Sequence, residues 1–197
     1  MSPIAKLIVE LADQDPALRE AAAAELSKLG AALADAIVEG WRTDPELATL
    51  LAVQPTVGVA VWPEHFERVR AAMGSPPLAE VPPDQDALEF EVHLGRHAHL
   101  DILTTKEPGE SGAIARFLEK FGEGIQQVEY PTTNVDRAAE VLRAHFGLEP
   151  IHLEARPGAG GARVNFFLTR RPDGRKVLIE LVEGPAEKPQ AKDRRST

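Results

Sequence analysis

The chain has 197 residues, which is enough for one ordinary domain with an appendage or for two small domains. Its formal net charge of −9 argues against nucleic acid or an anionic membrane as the main partner. The absence of cysteine excludes disulfides, thiolate nucleophiles and zinc–thiolate sites. The sequence has no signal-peptide pattern and no run of about 20 apolar residues, so we expect a soluble, cytoplasmic protein.

The first part of the chain predicts helices only. Residues 3–52 are rich in Ala and Leu and show no strand pattern. Asp15-Pro16 begins a helix that we expect to end at Gly30, because glycine commonly follows the last helical turn. A further helix is predicted over 33–41, and Asp44-Pro45 begins a short one.

Residues 15–30 resemble one unit of a HEAT-type helical repeat, a kind of repeat typical of scaffolds. A solenoid needs about three such units to bury its faces, and barely one is present. We therefore favour the alternative that these helices pack against the neighbouring domain or a second subunit. We assign 1–54 as an all-helical N-terminal extension.

The hydrophobic period changes after Gln54-Pro55. The pattern then predicts a strand at 56–61, a helix at 64–73, an extended proline-rich loop at 75–86, and a hairpin of strands 88–94 and 97–103. Ile114, Phe117, Leu118 and Phe121 recur at helical spacing and predict a linker helix over 112–121, which Gly122 ends.

The same order of elements then repeats. The sequence predicts a strand at 127–130, a helix at 135–146, a strand around 150–155, and a hairpin of strands 163–169 and 176–182. Residues 184–197 are polar, charged and without periodicity, so we expect a disordered tail. Strand, helix and hairpin therefore occur twice, which indicates a duplication.

Three segments resemble methylmalonyl-CoA epimerases, a family of the vicinal-oxygen-chelate (glyoxalase-like) superfamily: 116–124, 156–158 and 177–183. The resemblance implies an α+β fold in which two βαβββ modules form a cupped mixed sheet. It assigns 55–183 to the glyoxalase-like domain, with modules at 56–107 and 122–183.

The resemblance also implies a metal site. In that family four inward-facing side chains hold one divalent ion, and their positions here are Thr56, Asp101, Gln127 and Glu180. The family has histidines where this chain has Thr56 and Gln127, so both imidazoles are replaced. Hydroxyl and carboxamide oxygens bind zinc-like ions weakly, and Mg²⁺ or Ca²⁺ would prefer more oxygens or several waters.

The implied catalytic groups are two acids. The resemblance makes Glu180 one proton shuttle and places the second at Asp84, which is one methylene shorter than the family's glutamate. Epimerisation beside a thioester needs a polarised carbonyl, a base on one face and an acid on the other.

Two histidines offer a substitute for the missing imidazoles. His97 and His99 alternate with Asp101 along one strand and so share its face. If that face lines the cup, either could complete a metal site with Glu180. We favour the alternative that both are solvated near the turn.

Other polar groups have weaker interpretations. His93 lies beside Glu89 and Glu91 on a face that we expect to be exposed. Gly-rich residues 158–161 lack the lysine of a phosphate loop and are expected to form a turn over the cup mouth. Four basic residues at the predicted hairpin tip could meet the phosphates of a CoA-like ligand, although such a tip is usually just solvated: Arg170, Arg171, Arg175 and Lys176.

Two functions remain open. In the first, the cup binds a small organic or acyl-type ligand, or serves in assembly, without a cofactor or metal-based catalysis. In the second, the protein is an isomerase (epimerase) or lyase for a CoA thioester or related carbonyl compound, with a divalent ion at Asp101, Glu180 and His99. The double replacement at Thr56 and Gln127 favours the first function. We also expect a homodimer, because superfamily members often pair their modules.

Overall fold

The computed structural model describes residues 3–95, 98–109, 112–171 and 173–185. Its helices are α1 (Pro3–Glu10), α2 (Pro16–Trp41), α3 (Pro45–Leu50), α4 (Pro63–Ala72), α5 (Ala113–Phe121) and α6 (Val135–Phe146). Its strands are β1 (Thr56–Ala60), β2 (Leu88–Leu94), β3 (Ala98–Thr104), β4 (Gly124–Pro131), β5 (Arg156–Pro157), β6 (Arg163–Arg170) and β7 (Lys176–Glu183). Within this described part, no helix combines the length and apolar character needed to cross a bilayer.

The strands form one mixed sheet in the order β2-β3-β1-β4-β7-β6-β5. Strand β1 pairs in parallel with β3, and β4 pairs in parallel with β7. An antiparallel β1–β4 contact joins the two halves. Strand, helix and hairpin thus occur twice, as β1-α4-β2-β3 and β4-α6-β5-β6-β7. Among the described residues the second half has the predicted βαβββ order, whereas the first half has three strands. The predicted α+β fold with a duplicated, curled sheet is confirmed.

One predicted strand lies elsewhere. The pattern around 150–155 predicts a strand, whereas residues 151–154 form bends and the short β5 begins at Arg156. Pro150 and Pro157 have no backbone N–H to donate to a ladder, which keeps this edge segment short. Leu153 is 87% exposed, so no buried face fixes the register of the segment.

Helix α2 is continuous through Gly30, where the sequence predicts a break. A Cβ atom on Gly30 would lie 2.3 Å from Cγ1 of Val57 in β1. The missing side chain therefore lets the helix approach the sheet closely, and this packing outweighs the poor helix propensity of glycine.

Helix α2 covers the outer face of both halves of the sheet. Its first half packs into the cluster around β1, β2 and β3, and its second half into the cluster around β4, β6 and β7. The buried side chains of α2 that take part are Ala22, Ala23, Leu26, Ala34, Val38 and Trp41. The helical segment therefore packs against the adjoining domain, as favoured above, and the boundary at residue 54 stays a prediction.

The opposite, inner face of the sheet is covered only at one end. Helix α5, which is the predicted linker helix, lays Ile114 and Leu118 against Ala60 and Leu103. The remainder of the inner face borders a cavity, so the side chains that alternate with the outer-face core line that cavity.

Two glycines of α2 provide a matched test of the close approach to β1. We expect Gly30→Ala to lower the free energy of unfolding by about 2–3 kcal/mol, because the new methyl group collides with Val57 and the helix must shift. Urea unfolding followed by circular dichroism measures this change.

Gly40→Ala is the control, because a Cβ atom at Gly40 meets nothing within 4 Å. This substitution should be neutral or stabilising by up to about 1 kcal/mol, since alanine is the better helix former. If the two variants were equally stable, the proposed packing of α2 on β1 would be wrong.

Candidate functional site

The inner face of the sheet carries an open cavity of about 1030 Å³. Three of the four positions that the family resemblance assigns to metal ligands line it: Asp101, Gln127 and Glu180. The fourth, Thr56, lies on the same face two residues before Gly58, but its short side chain is half-buried next to Glu129 and is not part of the cavity lining. The fold thus brings three of these side chains to one concave site.

The Gln127 side chain lies between two glutamates. Its amide Nε2 donates to Oε2 of Glu180 at 2.5 Å and to Oε1 of Glu129 at 3.1 Å. A Cβ atom on Gly58 of β1 would lie 2.6 Å from Cγ of Gln127, so the bare backbone of Gly58 leaves room for this side chain. Both N–H groups of the amide are therefore directed at carboxylates.

A β-bulge explains why two successive residues of β4 reach the cavity. Gly58 pairs with Gln127, but the next residue of β1, Val59, pairs with Ile125, so Gln126 is an extra residue in β4. Gln126 also lines the cavity, and its buried Oε1 has no hydrogen-bond partner among the described residues.

Asp101 is buried on the cavity wall with one oxygen unsatisfied. Its residue is 7% exposed, and its Oδ1 lacks a hydrogen-bond partner in the described part of the chain. Burial raises the pKa of this carboxyl well above its usual value, and the nearby charges of Glu129 and Glu89 raise it further. A carboxylate in this position is costly unless a ligand compensates for its lost hydration.

Three glutamates share this electrostatic environment. Burial, followed by the charges of Glu129 and Glu89, raises the pKa of Glu180 well above the ordinary range. Burial is also the main cause that raises the pKa of Glu129 and of Glu89 to about 7. The hydrogen bond from Gln127 opposes that rise at Glu129. The site is therefore a cluster of acids with raised pKa values, in which Glu129 and Glu89 titrate near neutral pH.

Among the described residues, none of the charges that shift the pKa of Asp101, Glu129 or Glu180 is positive. The basic side chains that line the cavity belong to the loop after β3, to α5 and to β5: Lys106, Arg116 and Arg156. The floor of the cup is thus strongly acidic.

Two predicted site residues lie away from this floor. Asp84 is exposed on the loop at the cavity rim, where it forms an ion pair with Arg156. His99 does not line the cavity, and its Nδ1 lies 2.8 Å from Nδ1 of His93. His97 lies outside the described residues. The roles assigned to Asp84 and His99 stay predictions.

Sequence reasoning missed several acids of the cup. Glu89 and Glu91 were expected on an exposed face, but that face of β2 is the inner face, and both residues line the cavity. The register could have revealed this, since Glu91 pairs with Asp101 in the β2–β3 hairpin. Glu129 had a similar signal, because it lies two residues after Gln127 and so shares its face of β4.

The donor set fits a metal ion poorly. In the parts of the chain that the structure describes, no group of three or more His, Cys, Asp or Glu side chains could hold one. Gln127 presents nitrogen-bound hydrogens to the carboxylates, and Thr56 does not line the cavity. Of the four positions that the resemblance assigns to metal ligands, only Asp101 and Glu180 present carboxyl oxygens to the cavity.

Neither a protein-family model nor a curated protein matches the chain. Solved structures do match. Methylmalonyl-CoA epimerase from Mycobacterium tuberculosis is 31% identical, with a TM-score of 0.53, over 69% of this chain and 88% of that one.

Two further structures of methylmalonyl-CoA epimerase match at 27% identity over 70% of this chain and 96% of each of those chains. One is a Streptomyces coelicolor variant in complex with 2-nitronate-propionyl-CoA, with a TM-score of 0.55. The other is a complex with methylmalonyl-CoA and NH4+, with a TM-score of 0.54.

The acidic cup should make stability depend on pH. Because the pKa values are raised, the folded chain binds more protons than the unfolded chain, and proton binding stabilises the fold. This stabilisation is complete below about pH 4 and is lost as the pH rises through about 7. We expect the free energy of unfolding to fall by about 2–4 kcal/mol between pH 5 and pH 8. Urea unfolding at several pH values measures this.

Glu129→Gln should make that fall smaller because it removes one of the titrating groups. Glu67→Gln is the control, because Glu67 lies on the surface of α4 with its side chain 64% exposed. The electrostatic description fails if wild-type stability is constant or increases over this pH range.

Proposed function

The chain belongs to the methylmalonyl-CoA epimerase family of the vicinal-oxygen-chelate superfamily, and from this premise we propose that its cup binds a small organic or acyl-type ligand without the metal-based catalysis of the family. One observation carries the proposal. The Gln127 amide donates to Glu180 and Glu129 at the position that the resemblance assigns to a metal-binding histidine.

The orientation of this amide argues against ion binding. To contact an ion, Gln127 would have to turn its oxygen inward and break both hydrogen bonds. The ion would gain only a weak carboxamide donor in exchange for an imidazole. The reversed orientation would also direct the amide oxygen at two carboxylates. The amide therefore suits a cup in which Glu180 is held by hydrogen bonds.

The walls of the cup support an acyl-type ligand. Its volume is close to that of ordinary ligand cavities, about 300–1,000 Å³. Several lining side chains are apolar and could contact a short carbon chain: Leu103, Ile114, Val164, Phe166, Leu178 and Val182. Two of the similar structures are CoA complexes, one with 2-nitronate-propionyl-CoA and the other with methylmalonyl-CoA and NH4+. The second complex suits a cup that accepts a monovalent cation beside the acyl group.

The second candidate is a metal-dependent epimerase, isomerase or lyase acting on a CoA thioester or related carbonyl compound. The unsatisfied Oδ1 of Asp101 favours it, because a bound cation would supply the partner that this oxygen lacks among the described residues. Asp84 weighs against it, since this candidate for the second proton shuttle is exposed and ion-paired with Arg156. We derive no reaction step for this candidate.

The homodimer is part of the proposal. Three large apolar side chains near the β5–β6 edge are more than half exposed: Ile151, Leu153 and Leu168. Contact with a second copy would remove this apolar area from water. Light scattering coupled to size-exclusion chromatography tests it, and a monomeric mass would contradict it.

Elemental analysis of the purified full chain tests the main proposal. We expect no stoichiometric divalent metal in the wild type. In the double variant Thr56→His, Gln127→His both imidazoles are restored, and we expect about one equivalent of Co²⁺ to bind with a visible ligand-field spectrum. The single variant Thr56→His is the control, because Gln127 still engages the two glutamates.

A wild-type chain that retains one equivalent of a transition metal would contradict the proposal. Solvent deuterium exchange into the α-carbon of a methylmalonyl thioester gives a second readout. Exchange by the wild type that Glu180→Gln abolishes would favour the epimerase candidate instead.

A further inference from the structure

We infer that the floor of the cup binds the primary ammonium group of a short-chain organic amine, with Asp101 and Gln126 as its main hydrogen-bond acceptors. The inference rests on the proposed function, because it requires that a ligand and no divalent metal ion occupies this place. It names the chemical class of the ligand group that meets the floor.

The charge of the floor is the first support. Five of the carboxyl side chains that line the cavity lie on strands of the sheet: Glu89, Glu91, Asp101, Glu129 and Glu180. The basic side chains of the lining belong to the loop after β3, to α5 and to β5, so the charged lining side chains of the central strands are all acids, and such a concave floor attracts a positive charge. A cation on the floor would offset the repulsion among these acids, whereas an anionic group would increase it.

Unsatisfied acceptors are the second and independent support. Asp101 and Gln126 both line the cavity, and their buried oxygens Oδ1 and Oε1 lack hydrogen-bond partners among the described residues. Nearly all buried polar atoms in folded proteins have a partner. Gln126 Oε1 accepts hydrogen bonds, and so does Asp101 Oδ1 when the carboxyl is ionised, so the missing partner is a donor. An alkylammonium group supplies three N–H donors and a positive charge.

The geometry favours an ammonium group over a metal ion. A metal ion needs several ligand atoms converging within about 2.0–2.6 Å, and no such group of three side chains exists among the described residues. Charge-assisted hydrogen bonds span about 2.7–2.9 Å and tolerate a wider spacing of acceptors. The Gln127 amide can also keep its bonds to Glu180 and Glu129 while an ammonium group contacts Asp101.

The apolar wall fits the remainder of such a ligand. Leu103 lies two residues after Asp101 on the same face of β3. Ile114 of α5 packs against Leu103. A short alkyl chain attached to the ammonium group would therefore contact aliphatic side chains beyond the acidic floor. A compact inorganic cation would leave this wall without a contact.

Four small probes test the inference on the full chain: n-butylammonium, tetramethylammonium, 1-butanol and butanoate. Their dissociation constants are measured by NMR titration of the ¹⁵N-labelled protein. We expect n-butylammonium to bind at least about tenfold more tightly than 1-butanol, and butanoate to bind least. Tetramethylammonium should be weaker than n-butylammonium because it has the charge but no N–H donor.

Variants locate the binding. Asp101→Asn should weaken n-butylammonium about tenfold while the melting temperature stays the same or rises, because a costly buried carboxyl is removed. Asp173→Asn is the control, since Asp173 lies in the turn before β7, away from the cavity lining. If Asp101→Asn did not fold, Glu91→Gln would replace it, because this side chain is 69% exposed and still lines the cavity.

The inference is overturned if 1-butanol or butanoate binds as tightly as n-butylammonium, or if the variant with an altered cavity acid binds like the wild type. A metal-free protein that binds butanoate but no amine would overturn this inference and leave the proposed function standing. A stoichiometric transition metal would overturn the proposed function itself.

Discussion

The contact on which the site depends is the one between the Gln127 amide and the carboxylates of Glu180 and Glu129. It is possible because Gly58 has no side chain, which leaves room for the Gln127 side chain of the neighbouring strand. A single neutral donor group thereby holds two acids that would otherwise repel each other in a buried place. The family resemblance assigns this position to a metal-binding imidazole, so the proposal of a cup without a metal ion depends on Gln127.

Because side chains alternate along each strand, the sheet places apolar side chains on its outer face and acidic side chains on its inner face. Its outer face is covered by α2, α4 and α6, and it supplies the core. Its inner face collects acids from both halves, because β3 and β7 carry Asp101 and Glu180 at similar places in the two modules. Burial then raises the pKa of these acids, so proton binding in the cup favours the folded chain.

The duplicated strand–helix–hairpin order was predictable because hydrophobic period and glycine stops are local signals. Gly30 was wrongly expected to end a helix, since its reason for being glycine is Val57, which lies across the chain. The positions of Asp101, Gln127 and Glu180 followed from the family resemblance. The acidity of the cup did not follow, because the bulge at Gln126 and the inward face of β2 depend on register and sheet curvature.

The central claim is that an amide, and no metal ion, holds the two glutamates of the cup. Anomalous diffraction from crystals of the wild-type protein grown with CoCl₂ tests it most directly. The account requires that no anomalous peak lies between Asp101 and Glu180, and that the Gln127 nitrogen stays within hydrogen-bond distance of both glutamates. An ordered cobalt ion bound to Asp101 and Glu180, with the oxygen of Gln127 turned toward it, would contradict the account.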